Sequence, residues 1–195
     1  MRVLMIACHP CADSFSAALR DAACAGLDLS GQEVRLRDLH AEGFVPVMSA
    51  EEHQVTNMPG TNEALVARDA DDLRWAEALV LVYPTWWYGM PAMLKGWFDR
   101  VWLPGIAFRI GEGAIEPMLT NIRRITVVTT YGSPPWLLWY LGWPDFKVMK
   151  RGLRRLCARG CRVDWLYLTR MDHRRRPDLE RFLVRVGSFF AAWMA

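Results

Sequence analysis

Residues 5–16, MIACHPCADSFS, bring Cys8, His9, Cys11, Ser14 and Ser16 close together where an apolar run hands over to a helix start. Three chemistries use such residues. A C-x-x-C at a helix N-terminus has the setting in which a thiol pKa is lowered for dithiol exchange. Two thiolates are also half of a zinc site, which Cys157 and Cys161 would complete if residues 146–160 were helical. The third chemistry uses other atoms. Free backbone N–H groups at the helix start, the Ser14 and Ser16 hydroxyls and the His9 imidazole form a cradle for phosphate. The motif follows the first strand of a long α/β pattern, which is unlike a thioredoxin-type domain. Cysteines at i and i+4 are more often core residues than ligands, so no metal is expected. There is no G-x-G-x-x-G, so a glycine-type dinucleotide loop is not indicated and the hydroxyl-lined phosphate loop is the favoured reading.

A second cluster lies at Trp86-Trp87-Tyr88-Gly89, directly after the apolar run ALVLVYP (78–84). Core filling is one reading of such a triplet. In a loop leaving a buried strand, with glycine after it, the triplet better suits the wall of a ligand site.

The elements that must position these residues follow from hydrophobic periodicity. RVLMIA (2–7), EVRLRDL (33–39), ALVLVYP (78–84), RITVVTT (124–130) and RVDWLYL (162–168) read as strands, three of them continuously apolar and so buried on both faces. Helical spacing predicts helices over 14–27, with Ser14 as N-cap and Gly26 as the stop, and over 62–78, 91–102, 146–160 and 177–194. Residues 40–60 read as a long connection with one short helix, residues 104–122 as a glycine-rich loop, and the segment after residue 130 as a tryptophan-rich loop. Strands alternating with helices argue for one α/β domain over residues 1–195 with a parallel sheet covered on both faces. Right-handed crossovers make it doubly wound, and five strands in the order 2-1-3-4-5 is the flavodoxin-like solution. Ligands in such sheets bind beyond the strand carboxyl ends at the switch point, which points to the loops after residues 7, 83 and 130.

Composition narrows the function classes. The chain has 195 residues, 52% hydrophobic and 23% charged, with a net charge of +3. That balance is globular, with no sign of a nucleic-acid binder or of the strong acidity usual in electron-carrier flavodoxins. Arginines crowd residues 151–185, so one flank is basic; a solvated surface is the plain reading, and peripheral membrane contact or attraction of a phosphorylated cosubstrate is the sharper one. No apolar run is long enough to span a bilayer, no signal-peptide pattern opens the chain, and five irregularly spaced cysteines make no disulfide framework. A cytoplasmic setting is expected.

Beyond these residue-level readings, the chain resembles the NAD(P)H:quinone oxidoreductase family of the flavodoxin-like fold. The family's strand-1 loop, His-Pro followed three residues later by Ser-Phe/Ser, is matched by His9-Pro10 and Ser14-Phe15-Ser16. Its segment after strand 3 is matched at eleven positions: Pro84, Trp87, Tyr88, Pro91, Leu94, Lys95, Trp97, Phe98, Asp99, Arg100 and Val101. Thr129-Thr130-Tyr131-Gly132 stands where the family has Thr-Thr-Gly-Gly, and GFVPVMS (43–49) matches a Phe-x-Pro segment.

The resemblance implies a tightly bound flavin, FMN or FAD, with its phosphate on His9, Ser14, Phe15 and Ser16. The isoalloxazine would lie against Pro84, Thr85, Trp86, Trp87 and Tyr88 and against Thr129, Thr130 and Gly132. It implies ping-pong hydride transfer from NAD(P)H through flavin N5 to a quinone or related aromatic acceptor. Phe108 falls where the family has an aromatic at the substrate pocket mouth. Tyr131 departs from the family's glycine, and the family's Tyr and His past that turn have no clear match, so Tyr131 or Tyr140 is the candidate for the catalytic role. The resemblance also implies a homodimer, which would cover Trp136, Leu137, Leu138 and Trp139. An alternative from another class is a flavin-binding regulatory subunit of a potassium-efflux transporter, docking through the basic flank and the tryptophan-rich loop.

Overall fold

The computed structural model describes residues 1–193. Five parallel strands form its central sheet: β1 (Arg2–Ala7), β2 (Glu33–Asp38), β3 (Ala78–Pro84), β6 (Arg124–Thr130) and β7 (Arg162–Leu168). Their order is β2-β1-β3-β6-β7, which is 2-1-3-4-5 among the sheet strands, as expected. A separate antiparallel hairpin, β4 (Phe108–Ile110) and β5 (Ile115–Pro117), occupies the stretch expected to be a plain loop.

Alternation along the buried strands sends side chains to two cores. Val3, Met5, Val80 and Val82 face helices α1 (Phe15–Leu29) and α7 (Arg176–Ala191), meeting Leu19, Ala23, Leu27, Phe182, Val186 and Phe190. Leu4, Ile6, Leu79, Leu81 and Tyr83 face α3 (Ala67–Trp75) and α4 (Ala92–Val101), meeting Leu73, Leu94, Trp97, Phe98 and Val101. The sheet is thus covered on both faces, which is why its central strands read as unbroken apolar runs.

Several boundaries differ from the sequence reading, each for a physical reason. Helix α1 does not stop at Gly26 but runs on to Leu29. Gly26 is instead a close-approach position: a Cβ there would collide with the Gly187 carbonyl and sit 2.8 Å from Phe190 Cβ. The stretch 62–78 opens with a 3₁₀ turn over Glu63–Val66 before α3 begins. The expected helix over 146–160 is broken into α6 (Pro144–Lys147), a π turn (Val148–Gly152) and a 3₁₀ turn (Leu153–Leu156). Its end is pulled out of helical geometry because Leu119 N–H donates to the Leu156 carbonyl and Ala158 N–H to the Ile122 carbonyl, at 3.0 Å each. Conversely, part of the tryptophan-rich loop is a helix, α5 (Pro135–Leu141), with Pro135 in its first turn, where a missing N–H costs nothing. The closing helix ends at Ala191, and residue 194 of the expected 177–194 span lies outside the described residues. The short helix in the 40–60 connection is α2 (Ala50–Val55), opened by a Ser49–Glu52 capping box.

Candidate functional site

The first strand-end loop forms a phosphate-type cradle. Ser14 caps α1 by accepting from Ala17 N–H at 3.2 Å, and Ala18 N–H returns to the Ser14 carbonyl. The backbone N–H groups of Ala12, Asp13, Phe15 and Ser16 have no partner among the described residues, so several donors are unused where the helix dipole is positive. His9 Nδ1 accepts from Cys11 N–H at 3.0 Å. Accepting there places the proton on Nε2, which leaves an N–H free to donate outward. Ser16 is buried and lines a narrow crevice under the loop with Cys8, His9, Cys11, Arg20 and Asp38. The Phe15 ring turns inward against Phe182, so only its backbone can serve a ligand.

The same geometry answers the question of the cysteines. Cys8 N–H continues the sheet by donating to the Val82 carbonyl at 2.9 Å, and the thiol is buried among core residues. Burial pushes that thiol up to about 12, the opposite of an activated thiolate. Cys11 is exposed, and all five cysteines are free. Cys157 and Cys161 are not a helical i,i+4 pair, because Cys157 is extended and a left-handed Gly160 separates the two. No cluster of three or more metal-binding side chains exists among the described residues.

The second strand-end loop is a tight two-residue turn. Trp86 and Gly89 exchange N–H···O bonds in both directions at 3.0 Å. The two residues between them, Trp87 and Tyr88, both have positive φ, 49° and 62°. This is the I′ geometry that asparagine and glycine normally occupy, and bulky aromatic residues hold it only under strain. The turn leaves the Trp87 and Tyr88 N–H groups without a partner among the described residues and leaves Trp87 95% exposed. Trp86 reaches the His9 ring at a centroid separation of 6.4 Å, which ties this turn to the phosphate-type loop.

The third and fourth strand-end loops are sewn together. Met171 N–H donates to the Tyr131 carbonyl at 3.0 Å, and Arg170 N–H to the Ser133 carbonyl at 3.2 Å. Thr85, Trp86, Trp87, Tyr88, Tyr131, Gly132, Ser133 and Asp172 then line one open cleft of about 550 Å³ at the switch point. Thr129 and Thr130 are buried in the strand beneath it, Pro84 is half-buried at the end of β3, and Thr85 N–H donates to the Thr130 carbonyl.

Two expected roles need correction. The Tyr131 hydroxyl does not face the cleft. The residue is 2% exposed, its hydroxyl donates to Asp145 Oδ2 at 2.8 Å, and the Trp165 indole N–H donates to it at 3.2 Å. Burial and the neighbouring carboxylate raise its pKa well above the ordinary tyrosine value, and the hydroxyl is engaged on the core side while the residue borders the cleft. Phe108 does not line the cleft either. Helix α4 carries the chain about 15 Å back from the strand carboxyl ends, and Phe108 opens the hairpin that packs on the α4-side core.

Sequence reasoning missed three residues. Asp172 and Ser133 come from the loop ends of β7 and β6; the strand-end rule applied to residue 168 would have flagged the former. Asp145 is the lone acid of the apolar stretch PPWLLWYLGWPDF, and that isolation was its signal. It is 3% exposed and accepts from Tyr131 Oη, from Thr85 Oγ1 at 3.4 Å and from Phe146 N–H at 2.9 Å. Burial raises its pKa against these three donors.

Residues 1–167 match the flavodoxin-like fold family. An uncharacterized NAD(P)H oxidoreductase of Escherichia coli K12, YcaK, is 32% identical over 158 residues, covering 80% of this chain and 76% of its own. The rat NAD(P)H dehydrogenase [quinone] 1 is 28% identical over 150 residues, covering 68% of this chain; the chain spans 54% of the length of that relative. The solved NAD(P)H:quinone oxidoreductase from Methanothermobacter marburgensis superposes with a TM-score of 0.84 at 26% identity, covering 98% of this chain and 96% of its own. The strand order, the strand-end cleft and these similarities agree: the chain belongs to the flavodoxin-like fold family, among its NAD(P)H:quinone oxidoreductase-like members.

Proposed function

We propose that this protein is a flavin-dependent NAD(P)H:acceptor oxidoreductase that passes reducing equivalents by ping-pong transfer to a quinone or related aromatic acceptor. The observation that carries the reading is the pairing of two sets of unused donors at one switch point. Ala12, Asp13, Phe15 and Ser16 N–H are unused at the start of α1, and Trp87 and Tyr88 N–H are unused at the turn that walls the cleft beside it. Such a pair suits a long ligand with a phosphate at one end and a flat, carbonyl-edged ring at the other. FMN and FAD both have that form, and bound flavin supplies two-electron hydride chemistry.

His9 Nε2–H, the Ser14 and Ser16 hydroxyls and the α1 N-terminus would hold the phosphate. The Trp87 and Tyr88 amides and the Gly132 turn would bond the polar edge of the ring, and Trp86 and Trp87 would exclude water from its faces. The strained 86–89 turn fixes its two N–H groups in advance, so binding costs little reorganisation. The cleft is open on its outer side, which leaves room for cosubstrate and acceptor to use one place in turn.

A homodimer belongs to this reading. Trp136, Trp139 and Tyr140 of α5 are exposed a few residues beyond Ser133, beside the cleft. A two-fold partner would cover them, and Phe108, which does not reach its own cleft, would be free to serve the partner's. The regulatory-subunit alternative has no specific observation in its favour.

The test is an absorption spectrum of the purified protein from roughly 300 to 550 nm, with the released chromophore weighed. A flavin spectrum bleached by NAD(P)H and restored by a quinone is expected, and the mass separates FMN from FAD. A colourless protein that also fails to take up either flavin would overturn the proposal.

A further inference from the structure

One buried group beneath the cleft has no role in the flavin reading. Asp145 lies 3% exposed under the cleft, and every bond made to it comes from a donor. Tyr131 Oη donates to Oδ2 at 2.8 Å, Thr85 Oγ1 to Oδ2 at 3.4 Å and Phe146 N–H to Oδ1 at 2.9 Å. The Thr129 hydroxyl lies 2.9 Å from Thr85 Oγ1, and whenever Thr85 donates to Asp145, Thr129 can donate to Thr85 in turn. On the other side, the Trp165 indole donates to the Tyr131 hydroxyl. With Asp145 ionised, the dipoles of the chain Thr129–Thr85–Asp145–Tyr131–Trp165 can all point at the carboxylate, and protonation needs only the Thr85 link to turn round. The titratable groups facing it are Tyr131 from the end of β6 and Tyr83 from β3, whose buried hydroxyl has no partner; no Lys or Arg makes an ion pair with it among the described residues. A buried carboxylate without a cation is costly and has to serve some purpose. Two of its direct partners line the cleft, Thr85 and Tyr131; Tyr131 is buried, and Thr85 is the half-buried one that solvent in the cleft can reach.

We propose that Asp145 is the proton store of the site, exchanging a proton with the cleft through the Thr85 hydroxyl. This rests on the flavin reading above. When negative charge accumulates in the cleft, a proton from water at its mouth passes to Thr85 Oγ1, which gives its own proton to Asp145 Oδ2 and leaves a neutral carboxylic acid; when the charge departs, the proton returns by the same hydroxyl. No bond other than O–H forms or breaks, and water is the proton source and sink. Asp145 acts through Thr85 and is a positioning and proton-holding residue, not one that touches substrate.

The experiment is reduced-minus-oxidised infrared difference spectroscopy on flavin-loaded protein, run beside a flavin titration of the apoprotein. Wild type should gain a protonated-carboxyl stretch on reduction that moves in deuterated water. Asp145→Asn should lack that band and take up one proton fewer per two electrons, measured with a pH indicator. Thr85→Val, close in shape and loaded with saturating flavin, should show the band at least tenfold more slowly. Tyr131→Phe keeps the carboxylate and the Thr85 link and should retain the band. Flavin binding with no carboxyl band, or with equal proton uptake in wild type and Asp145→Asn, would overturn the proton store and leave the flavin reading standing. Failure of wild-type apoprotein to bind flavin would overturn both. If Asp145→Asn does not fold, the Thr85→Val kinetics decide alone, and an unchanged rate refutes the relay.

Discussion

Replacing Trp87 by asparagine should make the protein more stable and worse at holding its ligand. The side chain is 95% exposed, so its removal forfeits almost no packing within the chain. Its backbone sits at φ 49°, in the left-handed region, and the next residue is at 62°. An L-residue with a bulky side chain pays roughly 1–2 kcal/mol for that conformation, and asparagine pays much less because its amide can bond locally. Relief of about 1 kcal/mol should raise Tm by roughly 2–4 °C in a domain of this size. Against this, an aromatic face contributes about 1 kcal/mol to a stacked partner, so flavin should bind roughly fivefold more weakly. Differential scanning calorimetry of the apoprotein reads the first effect, and fluorescence quenching of added flavin reads the second. A Tm that stays put or falls would mean the turn is not strained as the dihedral angles imply. Unchanged flavin affinity would remove Trp87 from the ligand wall.

Three further outcomes are expected. Gly26→Ala should destabilise the fold by about 1–3 kcal/mol by forcing α1 off α7, whereas Gly187→Ala, whose nearest neighbour would be Ala22 O at 3.5 Å, should be neutral or add up to about 1 kcal/mol; urea unfolding of the two variants separates them. Asp145 titrates above its ordinary 3.8, so the fold holds this proton more tightly than the unfolded chain does. Its contribution is fully present below about that pH and is lost as pH rises through the folded-state pKa. Asp145→Asn should remove this part of the pH dependence and gain stability relative to wild type toward pH 7, and thermal melts at several pH values should show the two curves converging in acid. His9→Ala should weaken flavin on the order of tenfold to a hundredfold through loss of a hydrogen bond to a charged phosphate, with the melting temperature of the apoprotein little changed; isothermal titration with FMN and with riboflavin should show the loss for FMN alone.

Local sequence determined the sheet strands and the topology. β3 and, from Ile125 on, β6 are unbroken runs of apolar or β-branched residues because both their faces are buried, and a strand of that kind implies helices on either side. Ser14 determined where α1 begins, since its side chain can cap only the N–H groups just after it. The two loops that carry the family resemblance, at His9–Ser16 and Trp86–Tyr88, did come to the same end of the sheet, because that is where a parallel strand order must place them.

Tertiary structure decided the rest, wherever a residue's partner is distant in the chain. The apolar spacing of 146–160 favours a helix, yet backbone bonds to Leu119 and Ile122 claim its last turns. Gly26 reads as a stop, but its missing Cβ is what admits α7 at close range. Cys8 has the sequence of a reactive thiol, and only its burial at the end of β1 makes it inert. Tyr131 stands beside the cleft in sequence, but Asp145 and Trp165, on two other elements, take its hydroxyl away from it. Hydrophobic period and capping act over a few residues and are written in the order of the chain; the direction of a hydroxyl, the pKa of a buried acid and the strain of a turn depend on atoms that only folding brings together.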